Sequence, residues 1–84
     1  MADTKIQVYG TTWCPDCIRA RLVLAKHQAA YDFHDIGADK EALAYVERVN
    51  KGMRSVPVII FPDGTLLVEP PNSELEKKLQ QLAA

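Results

Sequence analysis

A change of period at residues 10–15 constrains this chain more than any other feature of it. In "KIQVYG", Ile6 and Val8 alternate with polar or amphipathic neighbours, the two-residue repeat of a strand, and Gly10 ends the run. From Pro15 onward the spacing becomes helical. Ile18, Leu22, Ala25 and Ala29 predict one buried stripe, and Ala20, Val23 and Leu24 supply a second apolar face. A helix apolar on two sides packs between a sheet and another element.

The same alternation of patterns runs to the end of the chain. "AYDFHDI" predicts a second strand. Asp39 can cap a helix whose Ala42, Tyr45, Val46 and Val49 share a face, with Gly52 placed to stop it. "VIIF" and "TLLV", joined by "PDG", read as a hairpin. Ser73 and Glu76 have the spacing of a capping box, and Leu75, Leu79 and Leu82 give the last helix a buried stripe. The order β-α-β-α-β-β-α predicts an α/β fold. A right-handed βαβ unit with parallel strands, extended by the antiparallel hairpin, makes a four-stranded mixed sheet flanked by three helices.

The 84 residues are read as one domain, 1–84, without repeat, linker or low-complexity tract. With 48% hydrophobic and 25% charged residues the chain should fold rather than stay disordered. A formal net charge of -1 gives no general attraction to nucleic acid or to an anionic membrane. "MADTKIQVYG" lacks the apolar core of a secretory signal, and no stretch is long enough to cross a bilayer, so a cytoplasmic protein is expected. Nothing in the sequence demands an oligomer, and a monomer is expected.

Both cysteines lie in "TTWCPDCIRAR". In reducing cytosol such a pair is catalytic or metal-binding rather than a permanent staple, and the loop it could close is too short to constrain the unfolded chain much. Cys14 falls at the mouth of the first helix with Pro15 at the first helical position, where the helix dipole and unpaired N–H groups stabilise a thiolate. Cys17 lies one turn inward on the same side, within reach of Cys14 and more buried. That asymmetry makes Cys14 the attacking and Cys17 the resolving thiol. Asp16 opposes it, because its carboxylate sits beside the thiolate it repels. Trp13 either shapes a docking surface or packs at the strand end.

A zinc site needs four ligands, and the other candidates, His27 and His34, are seven residues apart rather than three to five, so no metal is expected. Val56-Pro57 is either an ordinary strand start or a cis bond that leaves the Val56 backbone free to pair with a substrate. Arg19 and Arg21 could steer anionic thiols or acidic partners, or be solvated surface. Arg54, just before Val56-Pro57, could offer its fork of donors to a carboxylate or sugar hydroxyl. "ELEKKLQQ" reads as a solvated face supported by pairs such as Glu74 with Lys78, and Tyr9, Phe33 and Phe61 as packing residues.

"WCPDC" after a first strand, "SVP" before a third and "PDG" in the hairpin turn resemble the glutaredoxin-like branch of the thioredoxin superfamily over nearly the whole chain. Within it, "YGTTWCPDC", "AYDFHDI" and "VERVNKGMRSVPVIIFPDGTLLVEPP" look most like the mycoredoxins, the mycothiol-linked glutaredoxins of actinobacteria. The resemblance implies a thioredoxin fold with a cis-Pro57. It also implies a thiol-disulfide oxidoreductase that reduces mixed disulfides between proteins and a low-molecular-weight thiol. By the same analogy Cys14 and Cys17 are catalytic, no cofactor is bound, and mycothiol or glutathione serves as co-substrate. Trp13, Pro15, Arg54, Ser55, Val56 and Pro57 then line the substrate groove, with the Val56 backbone meeting the small thiol's amide groups.

The basic residue that glutathione-using members carry before the motif is replaced here by Thr11 and Thr12, and their Gly-Gly kink by "EPPNSE", which favours mycothiol. The aromatic, Arg-Pro-Asp signature of redoxins that serve ribonucleotide reductase is missing too. A thioredoxin-like carrier reduced by a flavoprotein reductase is the alternative reading, and a non-enzymatic metal-binding or scaffold domain a third.

Overall fold

A computed structural model of the chain describes residues 5–83. The first four residues, on which part of the leader argument rests, and Ala84 lie outside the described residues. The elements run β1 (Ile6–Gly10), α1 (Pro15–Lys26), β2 (Tyr31–Asp35), α2 (Lys40–Val49), β3 (Val58–Ile60), β4 (Leu66–Val68) and α3 (Asn72–Ala83). This is the predicted order. The sheet order is β2-β1-β3-β4, with β1 parallel to β2 and antiparallel to β3, and β3 antiparallel to β4. The fold is the thioredoxin fold.

The two faces of β1 divide the interior. Ile6 and Val8 join Ala20, Val23 and Leu24 of α1, Leu75 and Leu79 of α3, and Ile59 and Phe61 in one buried cluster. Alternation along β1 turns Tyr9 to the other face, where its ring stacks on Tyr45 of α2 at 4.8 Å between centroids and on His34 at 4.5 Å. So α1 and α3 cover one side of the sheet and α2 the other.

Local chemistry explains the element ends. Asp39 accepts from the amides of Glu41 and Ala42 at 3.0 and 3.2 Å, the cap that the sequence predicts for α2. That helix ends at Val49, and Gly52 follows at φ +89° with its amide on the Glu47 carbonyl. In the hairpin, Gly64 at φ +89° donates to the Phe61 carbonyl, and Asp63 accepts from the Thr65 amide at 3.0 Å.

Five expectations are corrected. The buried face of α1 is Cys17, Ala20, Val23 and Leu24, whereas Ile18, Leu22 and Ala25 face solvent, Leu22 being 66% exposed. Gly10, with no side chain, lets this face of the helix sit close to β1. The helix also stops at Lys26, and Ala29 reaches the core only after Gln28 turns through φ 55°. Ser73 and Glu76 form no capping box: α3 already begins at Asn72, the Glu74 and Leu75 amides donate to the Pro71 carbonyl, and Glu76 is held by His27 at 3.2 Å and Lys26 at 3.6 Å. Lys78 pairs with Asp63 of the hairpin turn at 2.5 Å rather than with Glu74, and Leu82 remains 40% exposed.

Candidate active site

Cys14 is the N-cap residue of α1, with extended backbone (φ −76°, ψ 123°). Its carbonyl accepts the Ile18 amide at 3.0 Å, and its half-buried thiol makes no capping bond of its own. Pro15 follows at the first helical position, where a missing N–H costs nothing. The sulfur is thus placed at the end of a helix whose first-turn amides have no carbonyl partner.

Cys17 is buried completely, one turn inward. The two thiols, both free, interact directly. Cys17 is seated on β1 so closely that a Cβ at Gly10 would come within 2.6 Å of its sulfur and 3.6 Å of the Phe33 ring. Glycine is what lets the helix approach. Burial pushes the Cys17 thiol up to about 11 from an ordinary 9.0, helped by the Cys14 side chain and opposed by the amide and hydroxyl of Thr11. The Thr11 hydroxyl oxygen is itself buried and has no hydrogen-bond partner among the described residues.

Asp16 is exposed to solvent. Its carboxylate meets the Arg19 guanidinium at 3.1 Å, and Arg19 also donates to the Asn72 side chain at 2.6 Å. Arg19 therefore partly offsets the charge beside the motif and ties the start of α3 to α1. Arg21 lies over the Phe33 ring at 4.1 Å and donates to the Tyr31 hydroxyl. Trp13 does not pack at the strand end; its side chain is 76% exposed beside Cys14.

The other wall is the segment before β3. Val56-Pro57 is cis, the second of the two alternatives left open by the sequence. In the β1–β3 ladder Tyr9 pairs with Val58, so the same register carried one residue further sets buried Pro57 opposite Gly10. Half-buried Val56 precedes the ladder and takes no part in it. The Pro57 carbonyl accepts the Glu69 amide at 2.9 Å, and the Ser55 carbonyl accepts from Asn50 at 3.0 Å. The Pro57–Glu69 bond joins "MRSVP" to "EPPNSE", and Asn72 of the latter is the residue that Arg19 of α1 holds. Arg54 points its Nε to Glu47 of α2 at 3.1 Å and is largely exposed.

The histidines that a zinc reading would recruit are engaged elsewhere, His27 with Glu76 and His34 with the Gln7 side chain at 2.6 Å. Sequence reasoning missed Gly10 and Thr11 as parts of the site. Gly10 carried only the signal of a strand end, and Thr11 only that of an absent basic residue.

The glutaredoxin family model matches residues 6–67, most of the chain, from the start of β1 into β4. The chain belongs to the glutaredoxin family. Its relatives include the glutaredoxin-named protein MT3292 of Mycobacterium tuberculosis, 36% identical over 83 residues and 99% of each chain. Mycoredoxin 1 of Corynebacterium glutamicum is 35% identical over 80 residues, 95% of this chain and 99% of that one. Among solved structures, the glutaredoxin grx-1 of Archaeoglobus fulgidus superposes with a TM-score of 0.68 at 25% identity, covering 95% of this chain and 86% of that one. A glutaredoxin of this kind is a thiol-disulfide oxidoreductase, and family members work with low-molecular-weight thiols and disulfide-containing proteins. Among the described residues no helix is long and apolar enough to cross a membrane.

Proposed function

We propose that this glutaredoxin reduces mixed disulfides between proteins and mycothiol, with Cys14 as nucleophile and Cys17 as resolving thiol. The observation that carries the roles is the asymmetry of the pair: Cys14 at an accessible helix mouth, Cys17 fully buried against Gly10 with its proton held to about pH 11. A buried thiol of that kind is a poor first nucleophile. The choice of mycothiol rests on the likeness to mycoredoxin 1 across the chain's length and on "EPPNSE" standing where glutathione-using members have a Gly-Gly kink.

In the first step the Cys14 thiolate attacks the small thiol's sulfur in the mixed disulfide. The new S–S bond joins Cys14 to the small thiol, and the protein sulfur leaves as a thiolate that takes a proton from water. A second small thiol then attacks the adduct and frees Cys14, giving the oxidised small-thiol dimer. In the dithiol branch Cys17 displaces the adduct, and the resulting Cys14–Cys17 disulfide passes to a reductant.

Trp13 and Pro15 flank the reacting sulfur on one side, and Ser55, Val56 and Pro57 on the other. The Val56 backbone is free of the ladder and suits the amide groups of the small thiol. Arg54 closes the rim of that groove, its guanidinium anchored by Glu47. Electrons come from the small thiol rather than from a flavoprotein reductase, and the protein works as a cytoplasmic monomer.

The test supplies mycothiol, glutathione or thioredoxin reductase as the only reductant for the oxidised protein. Turnover with mycothiol is expected; turnover with the flavoprotein alone overturns the reading. Cys17→Ser should keep de-thiolating activity and Cys14→Ser should lose it, whereas equal loss in both contradicts the assigned roles.

A further inference from the structure

Thr11 is 6% exposed, and its hydroxyl oxygen is buried without a hydrogen-bond partner among the described residues. Most buried hydroxyls are paired, so an orphan of this kind calls for an explanation. Its position supplies one. Thr11 follows Gly10, the residue on which the Cys17 sulfur is seated, so its backbone adjoins that contact. Burial and Cys14 both disfavour a charge on Cys17, and the two influences that favour one come from Thr11, its amide and its hydroxyl.

We propose that the Thr11 hydroxyl is a hydrogen-bond donor held for the Cys17 thiolate, and that it speeds the step in which Cys17 closes on Cys14. The inference rests on the reading of Cys17 as the resolving thiol. In that step a bond forms between the two Sγ atoms and the bond from Cys14 Sγ to the small thiol's sulfur breaks. The Cys17 sulfur is oxidised, the departing sulfur is reduced, and the Cys17 proton ends on the departing thiol. Negative charge must therefore appear on a sulfur that water does not reach. A hydroxyl can turn about its bonds to meet that charge, and a donor to an ionised acceptor binds more strongly than one to a neutral thiol. The resting orphan and the stabilised intermediate are two states of one side chain.

The experiment loads Cys14 with glutathione as probe and follows its release in a single turnover without external thiol, in the wild type, Thr11→Val, Thr11→Ser and Cys17→Ser. Release should slow about tenfold in Thr11→Val and stay within about twofold in Thr11→Ser, the scale of one hydrogen bond to a charged group. In a Cys14→Ser background, ultraviolet absorbance of the thiolate should place Cys17 ionisation at higher pH when Thr11→Val is added than when threonine is kept. Thr11→Val should fold at least as stably as the wild type, since it removes an unpaired buried hydroxyl; if it does not fold, Thr11→Ala replaces it in both measurements. Release that depends on Cys17 yet is as fast in Thr11→Val as in the wild type overturns the role of Thr11 alone. Equal slowing in Thr11→Ser and Thr11→Val overturns it too, as a packing effect. Release at the wild-type rate from Cys17→Ser overturns instead the reading of Cys17 on which the inference rests.

Discussion

Raising the pH tests the buried thiol directly. Cys17 ionises at about 11 in the fold against an ordinary 9.0. At pH 8 an ordinary thiol is about one-tenth thiolate, whereas Cys17 is about one-thousandth, so alkylation of Cys17 should lag about a hundredfold before burial slows it further. The same gap acts on stability. Below pH 9 both states keep the proton and the group contributes no pH dependence. Between 9.0 and about 11 the unfolded chain releases its proton while the fold holds it, so the unfolded state gains. Stability then falls by about 1.4 kcal/mol per pH unit, which lowers the melting temperature by about 5–10 °C per unit in a domain of this size. Circular dichroism melts of the reduced protein from pH 8 to 11 measure this slope, with Cys17→Ala as reference. Tyr9, whose phenol burial also pushes up, contributes equally to both proteins. Iodoacetamide labelling followed by mass spectrometry gives the rates. Equal labelling of Cys14 and Cys17 at pH 8, or the same alkaline slope with and without Cys17, would refute the reasoning.

Two further outcomes follow from the packing. Leu24→Ala should cost about 2–5 kcal/mol in urea unfolding because Leu24 is fully buried, whereas Leu22→Ala, on the solvent face of the same helix, should stay within about 0.5 kcal/mol; a reversed order would restore the stripe read from spacing. Asp63, held near 2 by the Lys78 ammonium and the Thr65 amide, should titrate there by carbon-detected NMR and return toward 3.8 in Lys78→Met. Its contribution to stability is present above pH 3.8 and lost as pH falls through about 2, so the acid limb of the stability curve should flatten in that variant.

Element order was legible because each segment carries its own period. Ile6 and Val8 alternate, Ala42 and Val46 recur at helical spacing, and Asp39 and Gly64 mark a cap and a turn. The buried face of α1 was not legible, since a helix apolar on two sides offers period no basis for choosing between Ile18–Leu22 and Ala20–Leu24. What decides is the distance between helix and sheet, a tertiary quantity. The start of α3 failed for a different reason: Ser73 and Glu76 match a capping pattern, but Pro71 already ends the preceding segment, and Glu76 finds His27 across a gap of 49 residues. The cysteines declared themselves by spacing alone. The residues that set their environment did not, because Gly10 and Thr11 act through contacts that no local pattern encodes.

The close approach of α1 to β1 connects packing to chemistry. Because Gly10 has no side chain and Ala20 a small one, the helix can settle on the strand until the Cys17 sulfur fills the space above Gly10. That contact removes Cys17 from water, and removal from water keeps its proton on. Cys14, one turn earlier on the same helix, is left at the rim because the helix begins there. A single geometric fact, the seating of one helix on a glycine, therefore makes two chemically identical side chains unequal. Their order of reaction then follows from depth: the sulfur at the rim meets the incoming disulfide, and the sulfur beneath it can act only once that first bond has formed within its reach.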